Sequence, residues 1–278
     1  MKNIVPDKVL FQSTTHKSIR RGYVDTSEGQ IHYWTAGEGP ALLLVHQSSS
    51  SGEEYASLVP YLADHYQLIA YDWLGHGNSD DPDFRPGVEE YSKGGEAVLE
   101  HLGIEEFSVL GHHGGALVSM YLAHKYPARV KNAILSGTSG LKPPEETAKF
   151  LASLEKKKKD ELQRDGQSLI NAWRRYADYL PEASAKEVLR PFMNHIMSQL
   201  RPYDAHHGVL AWDRRPALES LKCPVLLIQG MQDPYVSHQE NLLKILPNAQ
   251  RRVLENGGAF LFFDKAKECA EIIREFLG

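Results

Sequence analysis

Phe107-Ser108-Val109-Leu110-Gly111-His112-His113-Gly114-Gly115-Ala116-Leu117-Val118 is the stretch that decides the fold. Its apolar opening, Phe107–Gly111, reads as a buried strand. A helical pattern begins at Gly114 and runs to Tyr126. Only His112-His113 separates the two. Gly111 and Gly115 place small residues where the backbones of a strand and a helix must pack closely. A strand that passes at once into a helix is the unit of a parallel sheet wound with helices.

The same rhythm extends in both directions. Upstream, Gly22–Asp25 and Gln30–Ala36 read as an antiparallel hairpin joined through Ser27-Glu28-Gly29. Ala41–His46 follows as a buried parallel strand. Glu53–His65 reads as a helix, Gln67–Asp72 as a strand and Val88–Leu102 as a helix. Downstream, Val130–Leu135 is a strand. The alternation then stops: residues 140–215 carry helix-like spacings and no strand signal. It resumes with a strand at Pro224–Gly230, a helix at Asn241–Leu246, a strand at Arg251–Leu254 and a helix at Ala266–Leu277. The expected architecture is α/β, a doubly wound, mostly parallel eight-stranded sheet with an inserted helical cap. The core is expected over 1–139 and 216–278 and the cap over 140–215. In such sheets ligands bind beyond the carboxyl ends of the strands, so a cap there would act as a lid.

Bulk properties narrow the function. The 278 residues suffice for one core domain with an insertion. A net charge of −5 disfavours nucleic acid and anionic membranes as partners. Cys223 and Cys269 have neither metal-ligand spacing nor a disulfide framework, and read as free thiols. Met1–Arg20 lacks the apolar core of a signal peptide, and no run approaches the roughly 18 apolar residues of a membrane span. A cytoplasmic protein, monomeric or homodimeric, that acts on a small-molecule substrate without a cofactor is expected. The Lys156–Lys159 run reads as a solvated helix face.

Three strand ends carry the candidate chemistry. Gly111–Gly115 has the form G-x-Nuc-x-G, which presents its central residue on a strained turn. Here that residue is His113. The turn Val45-His46-Gln47-Ser48-Ser49-Ser50-Ser51 can supply the Ser48 N–H to an oxyanion hole, with Gly114 N–H as its second donor. A polar loop is the plain alternative, and His46 equally suits a buried, hydrogen-bonded role. Asp233, in Gly230-Met231-Gln232-Asp233, can orient a catalytic imidazole or simply cap a turn.

These stretches, with Tyr71-Asp72-Trp73-Leu74-Gly75-His76-Gly77-Asn78-Ser79, Tyr126-Pro127 and Glu255-Asn256-Gly257-Gly258-Ala259-Phe260-Leu261, resemble the α/β-hydrolase superfamily from about residue 20 to 278. The resemblance is strongest to the branch of epoxide hydrolases, haloalkane dehalogenases and small esterases. It implies a nucleophile at position 113 and a histidine after the last strand. The chain has His113 and Ala259 instead, so the usual Ser–His–Asp set is absent.

His113 is therefore expected as the working group, a general base near neutral pH that activates water for ester, lactone or amide hydrolysis. Asp233 is expected to approach it, directly or through a water, in the room left at Ala259; covalent attack by His113 is the less favoured alternative. The alternatives are a catalytically silent small-molecule binder, a lyase that uses His113 for proton abstraction, and a hydrolase inactivated by Ala259 in place of a natural histidine. No metal is expected, because His112 and His113 on one sharp turn should point apart. His46, Gln47, Trp73, His112, Trp173 and Ala259 are candidates to contact substrate, with Tyr71, Tyr176, Tyr203 and Trp212 as further aromatics. Ordinary packing is the alternative for each aromatic. His207 is a candidate second acid or base if its segment faces inward.

Overall fold

The computed structural model describes residues 19–138, 140–141, 143–158, 163–181, 183–201 and 204–278. The leader reading of the N-terminus, the side chains of the Lys156–Lys159 run, and Tyr203 lie outside the described residues.

The elements follow the chain in this order: β1 (Arg20–Thr26), β2 (Gly29–Ala36), β3 (Ala41–Val45), α1 (Val59–Leu62), β4 (Gln67–Tyr71), α2 (Val88–His101), β5 (Phe107–His112), α3 (Gly114–Lys125) and β6 (Val130–Ser136). Helices α4 (Pro144–Lys158), α5 (Gln167–Tyr179), α6 (Ala185–Ser198), α7 (Ala205–Leu210) and α8 (Arg215–Ser220) come next. The chain closes with β7 (Val225–Gly230), α9 (Gln239–Ile245), β8 (Gln250–Leu254), α10 (Leu261–Asp264) and α11 (Ala266–Leu277). The strands form one eight-stranded sheet in the order β1-β2-β4-β3-β5-β6-β7-β8. β2 pairs antiparallel with β1 and β4, and the other pairings are parallel. The doubly wound α/β architecture expected from the sequence is present. No helix among the described residues is long and apolar enough to cross a membrane.

Both faces of the sheet are covered, which explains why β3 reads Leu42-Leu43-Leu44-Val45 without alternation. Leu43 and Val45 join Val98, Val109 and Val118 on one side. Leu42 and Leu44 join Leu62, Phe262 and Ile273 on the other. β5 lies in the middle, between β3 and β6. Its end is therefore flanked by loops from both neighbours.

The segment expected as one helix over Glu53–His65 is instead a 3-10 turn, Gly52–Leu58, followed by the short α1. Pro60 explains the break. It has no N–H to donate four residues back, so α-helical bonding cannot run through it and must restart. The tighter turn brings Glu54, rather than an exposed helix face, under the end of the sheet, where it is buried.

The junction of β5 and α3 depends on absent side chains. A Cβ on Gly115 would run into the carbonyl oxygens of Val45 and His46, and one on Gly111 into the first turn of α3. Gly115→Ala is expected to destabilise the protein by about 3 kcal/mol, the upper part of the usual overpacking range, read as a lowered urea midpoint. An unchanged midpoint would contradict so close an approach of α3 to β3.

Candidate active site

His113 sits between β5 and α3 with φ 48° and ψ −110°, one of two non-glycine residues with positive φ among those described. A bulky residue there is strained, and strain of this kind persists only where its surroundings fix it. Here they do. The His113 N–H donates to the Ser136 carbonyl at 2.8 Å, and the His113 carbonyl accepts from Ala116 N–H at 3.0 Å. Gly137, itself at φ 59°, leaves the space the ring occupies: a Cβ on it would overlap the imidazole.

The ring reaches Asp233. His113 Nε2 lies 2.7 Å from Asp233 Oδ2, with side chains 14% and 2% exposed. Asp233 Oδ1 accepts from Gln229 Nε2 and from Tyr235 N–H, each at 2.8 Å. Burial pushes the Asp233 carboxyl up, but the His113 ring and the Tyr235 N–H outweigh it, so its pKa falls below the ordinary value. For His113, burial and the neighbouring His112 lower the pKa beneath 6.5 despite the opposing pull of Asp233. The pair is therefore a carboxylate and a neutral imidazole at neutral pH. The carboxylate can only accept, so Nε2 carries the proton and donates. Nδ1 is left as a bare acceptor, with no hydrogen bond among the described residues.

His112 does not point away from His113 as expected. The ring centroids are 4.2 Å apart at 44°. Opposite-facing neighbours require strand geometry, and the positive φ at His113 ends it. His112 is fully buried, with Nδ1 against the Glu54 carboxylate and Nε2 without a partner. Burial raises the Glu54 carboxyl, but His112 and the Gln47 N–H override this and hold it low. Donor atoms of His112, His113 and Asp233 lie within 4.8 Å of one another, a set that can hold a cation. The 2.7 Å contact is that of a charge-assisted hydrogen bond, and an ion would have to open it.

The oxyanion candidates adjoin. Ser48 is buried, its hydroxyl has no partner, and Oγ lies where a Cβ on Gly114 would be. Neither Ser48 N–H nor Gly114 N–H donates to any described residue. Gln47 is occupied elsewhere: its N–H and its Nε2 both donate to Glu54, at 3.0 and 3.2 Å.

Other candidates are placed differently. His46 is fully buried. Its Nε2 accepts from Trp73 N–H at 3.0 Å, so its proton is on Nδ1, 2.8 Å from the Gln47 carbonyl. A charged ring could not accept that bond, in keeping with a pKa lowered mainly by burial. No ring nitrogen of His46 remains for a ligand. Trp73 is fully buried and stacks on Tyr91 at 4.3 Å, beneath the site. Trp173 packs edge-on against Phe192 at 5.3 Å, within a cluster that includes Tyr176 and Phe260. Ala259 is half-buried in the turn before α10. Its neighbour Phe260 lies 5.4 Å from Tyr176, which ties that turn to α5.

A cavity of about 30 Å³ touches His113, Gly114, Gly137, Tyr235 and Val209, room enough for water. Its remaining polar wall is His206, not His207. Successive helical residues are turned by about 100°, so only one of the two can face inward. A hollow of about 460 Å³ lies elsewhere, and one of about 280 Å³ is walled by the candidate aromatic Trp212 and meets the small cavity at Leu210; neither touches His113 or Asp233. Size alone therefore does not mark the site; the small cavity lies at the strand ends, where this sheet topology places ligands.

Glu54, Gln229, Tyr235, Gly137 and His206 were not among the sequence candidates. Gln229 and Tyr235 flank Asp233 closely enough to have been suspected. Glu54 lay hidden in a segment that reads as a plain helix.

Comparison with known proteins agrees with this fold. The alpha/beta hydrolase fold family profile matches residues 40–266. Haloalkane dehalogenase 2 of Mycobacterium tuberculosis is 31% identical over 117 residues, 42% of this chain and 41% of that protein. The cis-3-alkyl-4-alkyloxetan-2-one decarboxylase of Shewanella oneidensis is 25% identical over 286 residues, covering 93% and 88%. The crystal structure of a hydrolase from Pseudomonas aeruginosa superposes with a TM-score of 0.77 at 20% identity, covering 93% and 98%. The chain belongs to the alpha/beta hydrolase fold family, and it carries a histidine at the turn between β5 and α3.

Proposed function

We propose that this protein hydrolyses a small carbonyl compound, an ester, lactone or amide, with His113 as the general base. The observation that carries this is the 2.7 Å bond from His113 Nε2 to Asp233. It leaves Nδ1 as the basic atom beside two uncommitted backbone N–H groups. In the reaction, water attacks the carbonyl carbon as its proton passes to Nδ1 and the C=O electron pair moves onto oxygen. Ser48 N–H and Gly114 N–H hold that oxyanion. Collapse returns the pair and breaks the bond to the leaving group; the proton held by His113 passes, through solvent, to the departing oxygen or nitrogen, which leaves the acid, the alcohol or amine, and a neutral ring again. Asp233 fixes the tautomer and stabilises the imidazolium formed in the first step.

Two features support this reading. The cavity beside His113 has room for water, the reactant the scheme requires there. The oxetan-2-one in the name of the Shewanella relative is a cyclic ester, which falls in the proposed substrate class. The cavity is narrow for an ester or lactone, and α7 forms one of its walls, so we take α7 to be part of a lid that moves on binding.

His113→Ala is expected to lower kcat/KM on a panel of aryl esters and lactones by about 10²- to 10⁴-fold, the usual worth of a general base. An unchanged rate contradicts the proposal. Ligand binding with no turnover by the wild type would favour a silent binder instead.

The pH dependence has a definite sign. The working form of His113 is the neutral ring, and its pKa lies below 6.5. The acid limb of kcat/KM is therefore expected below pH 6.5, with activity retained at pH 6.5 and lost only as pH falls through the lowered value. Asp233→Asn removes the influence that raises this pKa, so in that variant the limb should move further down. A limb at or above 6.5 in the wild type contradicts the assignment.

A further inference from the structure

We propose that His206, on α7, is the general acid that protonates the leaving group; this rests on the His113 reading and completes it. The observation is a second imidazole–carboxylate pair on the same cavity. His206 Nδ1 lies 2.8 Å from Asp204 Oδ1, and the His206 backbone N–H donates to that same oxygen at 2.8 Å. The carboxylate oxygen accepts, so Nδ1 is the donor and Nε2 is the ring atom left to act. Nε2 has no hydrogen bond among the described residues. His206 and His113 both line the cavity of about 30 Å³, so the two pairs share one small space.

The mounting of His206 is firm. Asp204 caps the N-terminus of α7, and Ala205 and Val209 anchor the helix with 6% and 0% exposure. Gly208 lets it press against the Pro86 carbonyl, which a Cβ there would strike. The base is thus carried by the turn between β5 and α3 and the acid by α7, and both border the same cavity.

The steps balance. Water gives its proton to His113 Nδ1 as its oxygen bonds to the carbonyl carbon. On collapse the bond from carbon to the leaving oxygen breaks, and that oxygen takes a proton from His206 Nε2. Solvent water then carries the proton from His113 back to His206.

A general acid matters most for poor leaving groups. The test is the ratio of hydrolysis rates for p-nitrophenyl acetate and ethyl acetate in wild type and His206→Gln. Because both rates are read on one preparation, partial misfolding cancels in the ratio. The aryl ester, whose leaving group needs no proton, should change by less than about threefold, and the ethyl ester should fall by about 10²-fold or more. Parallel losses on both esters, no loss on the ethyl ester, or a wild type that cleaves only the aryl ester would each overturn the role of His206. These outcomes leave His113 as base untouched. That reading falls separately, if His113→Ala retains both rates.

Discussion

The hydrogen bond between His113 and Asp233 is the interaction on which the rest of the site depends. It spans 120 residues of sequence and joins the end of β5 to the loop after β7. It also gives the strained backbone at His113 a purpose. A positive φ there turns the side chain off the strand and out over the strand ends. Asp233 then fixes which nitrogen carries the proton. Without the carboxylate the ring would be free to take either tautomer; without the turn it would not reach the carboxylate. Gly137 and Gly115 serve the same end by leaving room, one for the ring and one for the helix that follows it.

Buried carboxylates around the site are held ionised by the groups they face. Glu54 and Asp233 are both held below the ordinary carboxyl range, each facing a histidine. Asp72 repeats the pattern: burial opposes its charge, but His32 at 2.9 Å and the Gly52 and Asn78 N–H groups at 2.7 and 2.8 Å hold it low. Its carboxylate thereby ties the turn after β3 to the turn after β4. His46 lies between these turns as a neutral ring whose two nitrogens are both bonded. The Ser48 segment is thus positioned by buried charge as much as by apolar packing, and this leaves its N–H free to face the site.

Much of the fold was legible in the sequence because its signals are local. A four-residue apolar run marks β3 as covered on both faces, and Gly111 and Gly115 mark the tight junction around His113. The pairing of His113 with Asp233 could be anticipated because each sits at the end of a parallel strand. Three features were not legible, each for a physical reason. The burial of Glu54 depends on the break imposed by Pro60, which turns an expected helix into a tighter path. The stacking of His112 on His113 depends on a φ angle that residue type does not announce. The choice of His206 over His207 depends on the rotation of a six-residue helix, which adjacent identical residues cannot reveal.

The central claim is that His113 is a neutral imidazole with its proton on Nε2 and a basic Nδ1. The most direct measurement is a 1H–15N spectrum of the histidine side chains at pH 7, with the His113 signals identified by their loss in His113→Ala. A protonated Nε2 and a bare Nδ1 are predicted, with that preference weakened in Asp233→Asn. A ring protonated on Nδ1, or an imidazolium at that pH, would contradict the account.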